Sequence, residues 1–569
     1  MNAMNTNEVE TPWLDLYPKG VNPEINADHY HSLLELFEEA FQKYKNLVAY
    51  ECMGATLTYH ELDQYSTHFA AYLQKELGLK KGDRIAIQMP NLLQYPIAMI
   101  GSIKAGLIVV NTNPLYTERE MEHQFKDSGA KAIVVLSNFA SKLEDVIDNT
   151  SIEHIILTSI GEFLPFPKGA IVNTVVKHIK KMVPSYNLPK GVFMKKAIKL
   201  GKKQTLTPQE LSSDDIAFLQ YTGGTTGVSK GAMLTHRNMV ANLEQNTEWM
   251  TSLLKEKEEI AITALPLYHI FSLTVNCLTM MKIGARNILI TNPRDIPAFV
   301  KELKRHPFSI ITGVNTLFNA LLNNEDFQKL NFSKVKVAIG GGMAVQKAVA
   351  IRWKEITGST LTEGYGLTES APVLCCNPLQ EGARIGSIGL PFPSTMVAIR
   401  DDEGNFLNQG ERGELCALGP QVMKGYWKRE EETAKVFHKD DWLRTGDIAV
   451  MDEDGYFRIV DRKKDMINVS GFNVYPNEIE DVVALHPNVL EVAAIGIPDE
   501  KSSEAVKLFV VKKEDYLTTE ELKAYCKENL TGYKVPKHYE FTEELPKTNV
   551  GKILRRKLKE RELKKMASV

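Results

Sequence analysis

The sequence predicts an α/β protein: a large multi-layer body of mainly parallel sheets, closed by a β-rich subdomain and followed by a small α+β lid. Three observations predict it. Short β-branched runs alternate with helical stretches from about residue 33 to 495, the pattern of layered α/β folds. After Gly413 that alternation gives way to strand and turn signals. At 461–465 five consecutive charged residues separate two apolar stretches, with about one hundred residues beyond them, the composition of a solvated interdomain linker.

Each element follows in order. Strands are predicted at 85–89, 108–111, 132–136, 154–158, 216–221, 260–265, 288–290 and 335–339, all short and rich in Ile and Val. The apolar stretch 92–110 is interrupted by Gln94, Pro96 and Lys104, so it reads as a buried helix followed by a strand and not as a bilayer span. A helix is expected to begin at Leu234 and run past Leu243. Asp454-Gly455 marks a hairpin turn between strands at 448–451 and 457–460. The last part carries strands at 489–497 and 506–511, an amphipathic helix at 520–529 and a basic tail. The expected division is body 1–460, hinge 461–465 and lid 466–569.

Composition excludes several classes. The 569 residues are 43% hydrophobic and 24% charged with a formal net charge of −3, so nothing in the balance points to nucleic acid. The six cysteines are scattered, without CxxC or Cys/His spacing, as expected of reduced thiols in a cytosolic protein. Near the N-terminus no basic region precedes an apolar run, and Ala567-Ser568-Val569 is not a peroxisomal address.

One stretch stands apart. Between Lys168 and Lys203 lie ten lysines and no acid. Val172, Val175, Val176, Ile179 and Val183 are spaced as one face of a helix, with Lys177, Lys180 and Lys181 mostly to one side. A basic amphipathic helix can lie on an anionic membrane surface; equally, its apolar stripe can pack on the body with the lysines solvated.

The chemistry is concentrated in a few loops. Residues 221–231 hold Tyr221, Thr222, Gly223, Gly224, Thr225, Thr226, Gly227, Val228, Ser229, Lys230 and Gly231. Glycines let backbone N–H groups curl around an anion, hydroxyls add neutral donors, and Lys230 adds charge. The spacing is not that of a Walker loop, because Val228 and Ser229 separate Gly227 from Lys230; an unliganded Gly/Thr surface loop is the bland alternative. Gly340, Gly341 and Gly342 follow an apolar strand and offer a bare backbone edge to a flat adenine, or form a mere tight turn. Glu363-Gly364-Tyr365-Gly366-Leu367-Thr368-Glu369 sets a ring between glycines, suited to stacking on a base, and ends in a carboxylate able to hold a hard cation. Asp447, after Thr445-Gly446, could take two ribose hydroxyls. Lys552 follows Gly551 on a loop near the C-terminus.

In this order and at these separations the segments resemble the acyl-adenylate-forming superfamily, and within it the bacterial long-chain fatty-acid–CoA ligases. Further residues carry the resemblance: Trp13-Leu14 with Tyr17-Pro18, Asn111 to Tyr116, Leu265 to Ile270, Gly419 to Trp427, and Asp441 to Asp447 continuing to Asp465. It spans essentially the whole chain. The resemblance implies two α/β subdomains and a β-rich subdomain in the body, a mobile lid, and two half-reactions in one site. A fatty carboxylate attacks ATP to give acyl-AMP and pyrophosphate, and coenzyme A then displaces AMP.

Carried onto this chain, the resemblance puts residues 221–231 on the β- and γ-phosphates, with Thr222 and Glu369 as Mg²⁺ partners. Gly340 to Gly342, Glu363, Gly364, Tyr365, Gly366 and Thr368 would hold adenine and its surroundings, Asp447 the ribose, and Arg462 the ribose or phosphate. Lys552 would bridge the carboxylate and α-phosphate. His269 and Gly313 would shape the acyl wall, Lys464 would be the hinge pivot, and Ser470, Gly471 and Phe472 would face the pantetheine arm. His269 by itself, among apolar residues, reads more often as a satisfied core histidine than as a catalyst, and the resemblance makes it a shaping residue and not a general base. The implied partners are long-chain fatty acid, ATP and coenzyme A, with Mg²⁺. The expected location is the cytoplasm, peripherally at the inner face of the cell membrane, and a homodimer is one assembly open to the chain.

Three positions depart from relatives: Leu273 where one branch has a gating tryptophan, Arg444 where many have histidine, and Asn315 where many have proline. They bear on chain-length choice. Competing functions are a ligase loading fatty acyl-AMP onto a separate carrier, and a membrane-associated binding protein that has lost catalysis. Only 17 residues follow Lys552, with no carrier motif, and the joint presence of Lys552, Glu369, Asp447 and Arg462 argues against lost catalysis.

Overall fold

The computed structural model describes residues 10–222, 229–499, 502–513, 516–548 and 551–567. Two large sheets form the body. The first has seven strands in the order Val192–Phe193, His154–Thr158, Ala132–Leu136, Arg84–Gln88, Ile108–Asn111, Ile216–Thr222 and Lys230–Thr235. All its pairings are parallel except the last, an antiparallel hairpin that sets Thr222 opposite Lys230. The second sheet has nine strands, with Ile260–Thr263, Ile310–Gly313, Val337–Gly340 and Leu361–Gly366 side by side and parallel.

Parallel strands buried on both faces read as continuous apolar runs, which is why Ala132–Leu136 and Ile108–Asn111 match the expected strands end for end. The stretch 92–110 resolves into helix Gln94–Lys104, every residue of it buried, and the strand Ile108–Asn111. That helix packs with Tyr59–Lys75 in one core shared by the two sheets and their helices. Tyr59–Lys75 is started by a capping box between Thr58 and Glu61, which satisfies two otherwise unpaired donors.

Several expectations are corrected. The helix expected from Leu234 is His236–Met250; Leu234 and Thr235 still belong to the preceding strand, and Thr235 caps the helix. The β-rich subdomain begins earlier than Gly413: its four antiparallel strands are Met396–Arg400, Gly413–Leu418, Leu443–Met451 and Phe457–Arg462. The charged run at 461–465 is not a solvated linker throughout. Asp461 is buried and Arg462 ends a strand, because Asp461 accepts the backbone N–H groups of Arg462 and Asn477. Lastly, the helix expected through Val183 ends by Ile179; the segment folds as Lys168–Thr174, the wider turn Val175–Ile179, and a separate helix Met194–Gly201.

The C-terminal part has its own sheet, in which Val489–Asp499 and Ser503–Lys512 form the central antiparallel pair and His538–Phe541 adds a parallel edge. Its core of Ile467, Ile479, Val483, Leu508 and Leu522 is separate from those of the body, the mark of a distinct folding unit. All six cysteines are free and buried.

Candidate active site

The C-terminal ends of Ile310–Gly313, Val337–Gly340 and Leu361–Gly366 meet at one edge of the nine-stranded sheet. Ligands in open α/β sheets bind at such an edge. Gly341 donates its N–H to Gly313 at 3.1 Å, so Gly340 to Gly342 continue the ladder into a flat rim. Two glycines there are sterically required: a Cβ on Gly341 would lie 2.9 Å from the Phe271 ring, and one on Gly366 1.9 Å from the Pro372 carbonyl. Gly364 and Tyr365 pair antiparallel with Cys376 and Cys375.

The neighbouring β-rich subdomain delivers the acid. Tyr365 Oη donates to Asp447 Oδ2 at 2.6 Å, and Arg462 Nε lies 3.4 Å from Asp447 Oδ1. Asp447 and Arg462 are cross-strand partners in the hairpin, so the sheet register itself sets this pair. Burial and the Asp447 charge push the Tyr365 phenol well above its usual range. The Glu363 carboxyl is pushed up to about 8 by burial, with Asp481 of the lid adding to the effect. Asp481 itself is pushed up to about 7, mainly by burial.

Lys552 enters from the lid. Its loop is closed by Thr548 N–H to the Lys552 carbonyl at 2.7 Å and by Lys552 N–H to Thr548 Oγ1 at 3.0 Å. Low-polarity surroundings push its amino group down to about 7; the Arg462, Lys464 and Arg555 charges act in the same direction, and Asp447 opposes them. His269 is pushed down to about 4 by burial and by the Lys552 charge. Its Nδ1 accepts the Phe271 N–H at 3.3 Å, so the neutral ring carries its proton on Nε2. Lys464 is exposed, and its amino group is pushed down to about 8 by desolvation from the surrounding protein and by the Arg462 charge.

At the hairpin that frames the Gly/Thr-rich loop, Thr222 ends its strand opposite Lys230. Lys230 Nζ donates to Glu432 Oε2 at 2.6 Å and lies 4.8 Å from the Tyr426 ring centre. Tyr426 Oη in turn donates to Glu369 Oε1 at 2.6 Å, leaving Glu369 Oε2 with no protein partner among the described residues. Thr368 and Glu369 sit in a single helical turn, Thr368–Ser370. Gly223, Gly224, Thr225, Thr226 and Gly227 lie outside the described residues.

One reading is corrected at this level. The Tyr221 side chain is not free to meet a ligand: it is buried, and its hydroxyl donates to Asp127 Oδ2 at 2.7 Å. Strand alternation sends it to the opposite face from Thr222. Ser470, Gly471 and Phe472 are exposed, and among the described residues the backbone N–H groups of Ser470 and Gly471 bond within the C-terminal unit, to the Ser502 carbonyl and to Asn468 Oδ1. Phe472 is exposed and stacks on Tyr533, with ring centres 4.7 Å apart.

Three contributors were not singled out in the sequence. Tyr426 lies inside the Gly419 to Trp427 segment, so a signal existed. Glu432 and Thr316 had none, since their partners Lys230 and Gly551 are 202 and 235 residues away. At the departing positions, Leu273 is fully buried, Arg444 Nη2 pairs with Glu414 Oε2 at 2.9 Å, and Asn315 exchanges hydrogen bonds with Gln346 at 3.0 Å.

Comparison with known proteins is consistent across the chain. The AMP-binding enzyme family matches residues 37–427, and the AMP-binding enzyme C-terminal domain matches residues 478–552. A long-chain-fatty-acid–CoA ligase of Salmonella typhimurium is 59% identical over 548 residues, covering 96% of this chain and 98% of the relative. One from Yersinia pestis is 58% identical, covering 98% and 99%. The crystal structure of an anthranilate CoA ligase in complex with anthranoyl-AMP superposes with a TM-score of 0.84 at 25% identity, covering 96% of this chain and 100% of that one.

Proposed function

The chain belongs to the AMP-binding enzyme family, and from that premise we infer that it is a long-chain fatty-acid–CoA ligase working through an acyl-adenylate. The observation that carries the reading is the meeting of Lys552 from the lid with Asp447, Arg462 and His269 from the body. An ammonium group at that point, beside a ribose-binding acid, lies where negative charge builds during attack on the α-phosphate.

In the first half-reaction a fatty carboxylate oxygen attacks the α-phosphorus of ATP. The bond to pyrophosphate breaks and acyl-AMP remains. No side chain need act as a nucleophile, since the carboxylate already carries its charge, so catalysis is positioning and charge stabilisation. Asp447 holds the ribose, the Gly340 to Gly342 rim and Tyr365 hold adenine, and protonated Lys552 bridges carboxylate and α-phosphate. In the second half-reaction the thiol of coenzyme A attacks the acyl carbonyl, loses its proton, and AMP leaves with the C–O electron pair. Neutral His269 shapes the wall beside Lys552 and is too weak a base to be the proton acceptor.

Glu369 and Thr222 fit Mg²⁺: both offer hard oxygen ligands, and Tyr426 orients the carboxylate while leaving one oxygen open. The ion supplies charge neutralisation to the polyphosphate when bound.

The hinge at Lys464 belongs to the same reading. Rotation about residues 461–465 withdraws Lys552 and brings Ser470, Gly471 and Phe472 to the thiol channel; their exposure in this structure suits a lid resting in its adenylating position. Reversible contact with the inner face of the membrane through the Lys168 to Lys203 segment, and assembly as a homodimer, complete it. Sedimentation velocity at twice the chain mass checks the dimer.

The testing experiment is AMP and acyl-CoA formation from ATP, Mg²⁺ and coenzyme A across acids from acetate to oleate, beside Lys552→Ala. The expected result is activity rising toward long chains, and a loss in the variant on the scale of roughly 3 to 4 kcal/mol per missing donor. Pyrophosphate exchange without any CoA thioester would overturn the reading in favour of carrier loading.

A further inference from the structure

The segment between Lys168 and Lys203 does more than carry charge. Val172, Val192, Met194, Ile198 and Leu200 pack on the body, but other apolar side chains of the segment do not: Ile179 is 70% exposed and Met182 51%, with Ile171 and Phe193 also exposed, and Phe166 just before it is 90% exposed. Large exposed apolar side chains in a stretch with ten lysines and no acid mark an interaction site. The pairing of exposed hydrocarbon with cations matches the boundary of an anionic bilayer.

Within this patch lies a cavity of about 200 Å³. It sits past the C-terminal ends of the parallel strands Ala132–Leu136 and His154–Thr158, roofed by the turn Val175–Ile179. Ile160, Val176 and Val183 supply its apolar lining. Its polar lining includes Lys177 and Tyr186, whose amino and hydroxyl groups have no partner among the described residues, together with Ser159 and Asn138. Ser159 Oγ accepts from Asn173 at 3.0 Å, which leaves its hydroxyl proton to donate. Acids on neighbouring elements are already committed: Glu144 accepts the Asn187 N–H at 2.9 Å, and Glu162 accepts the Lys195 N–H at 2.8 Å and the Thr158 hydroxyl at 2.7 Å. Asn138 Nδ2 already donates to the Met182 carbonyl at 3.0 Å, so among the described residues the unfilled donors are those of Lys177, Tyr186 and Ser159, with the exposed Phe193 beside them in the lining.

We propose that this cavity seats the phosphate-bearing headgroup of a single anionic phospholipid while the surrounding apolar side chains enter the bilayer. The proposal rests on the membrane contact advanced above and deepens it: attachment is by a built headgroup site as well as by diffuse charge. It places the ligase where an amphiphilic substrate is concentrated.

The test uses the full chain and two probes. Dihexanoyl-phosphatidylglycerol below its micellar concentration, titrated by calorimetry, reports the cavity. Co-sedimentation with phosphatidylcholine vesicles, with and without phosphatidylglycerol, reports the membrane contact. The expected result is saturable binding of one soluble lipid per chain. That binding should weaken about tenfold or more in Lys177→Gln, which removes a charge-assisted contact, and in Val183→Trp, which fills the cavity. It should be unchanged in Lys203→Gln, which removes a charge elsewhere in the segment. Full ligase activity on soluble substrate shows that each variant has folded. Vesicle binding without saturable binding of the soluble lipid, or undiminished binding by Val183→Trp, overturns the headgroup site and leaves the diffuse contact standing. Equal affinity for glycerol 3-phosphate overturns a lipid as the occupant. Failure to bind anionic vesicles overturns the membrane contact itself, and the proposal with it.

Discussion

Thr316 donates its hydroxyl proton to the Gly551 carbonyl at 3.0 Å, next to Lys552 in sequence, and Asn319 Nδ2 donates to the Leu490 carbonyl at 3.2 Å. Both donors are on one helix of the body, Asn315–Leu322, and both acceptors are on the lid. In the lid rotation proposed above these bonds break as Lys552 leaves the site, so they bias the lid toward adenylation. Thr316→Val keeps the side-chain shape and removes the donor. A neutral hydrogen bond is worth about 0.5 to 1.5 kcal/mol net, which is a factor of roughly 2 to 13 in the lid equilibrium at 25 °C. The Gly551 carbonyl is only partly buried, and water can replace the lost donor, which favours the lower half of that range. The adenylating population, and with it the rate of ATP–pyrophosphate exchange, should fall by up to that factor, the full drop appearing where this state is the minor one. Conversion of preformed acyl-AMP to acyl-CoA should be unchanged or faster. Adding Asn319→Ala should deepen the first effect and spare the second. A parallel fall in both half-reactions would refute the reasoning, since it would mean that Thr316 supports the body and not one lid position.

Three further outcomes follow from the site. In the empty enzyme the Lys552 amino group is pushed down to about 7 and is competent when protonated, so kcat/KM for pyrophosphate exchange should be level below pH 7 and decline above it. Bound anions favour the charged form, so the decline in kcat should begin at higher pH; identical limbs in the two profiles would count against Lys552 as the titrating group. Tyr426→Phe removes the bond that orients Glu369, and the Mg²⁺ concentration giving half-maximal exchange should rise about tenfold or more; an unchanged Mg²⁺ titration would separate Glu369 from the metal. Glu432→Gln frees Lys230 from its ion pair, and the KM for ATP should fall by less than about fivefold, the scale of an exposed pair. A rise in KM would show that Glu432 positions Lys230 instead of competing for it.

The parallel strands were legible because their code is local: a buried strand is a short β-branched run, and Ala132–Leu136 and His154–Thr158 could be bounded from such runs alone. The glycine-rich rim at Gly340 to Gly342 was legible for a similar reason. A run of glycines just after a strand leaves a bare backbone edge, and the Phe271 ring 2.9 Å from a Cβ at Gly341 shows why no side chain fits. Helix ends were harder. Thr235 and Asn238 form a capping box that delays the helix to His236, while the apolar spacing had already begun in the strand before it.

What the sequence determined by itself was therefore the order of the elements, the loops able to meet phosphate, and the lysine set on a loop of the last domain. Tertiary structure decided the rest. Asp461 sits in a run of charges that reads as solvated, yet it is buried beside Arg555, and its carboxyl is pushed up to about 6, mainly by that burial. Lys230 finds Glu432, Thr316 finds Gly551, and Lys552 acquires its lowered proton affinity only where lid and body meet. Sequence periodicity reports interactions over a few residues. Proton affinities and hydrogen-bond partners at the site depend on desolvation and on charges brought together from distant segments, and those quantities come into being when the domains pack.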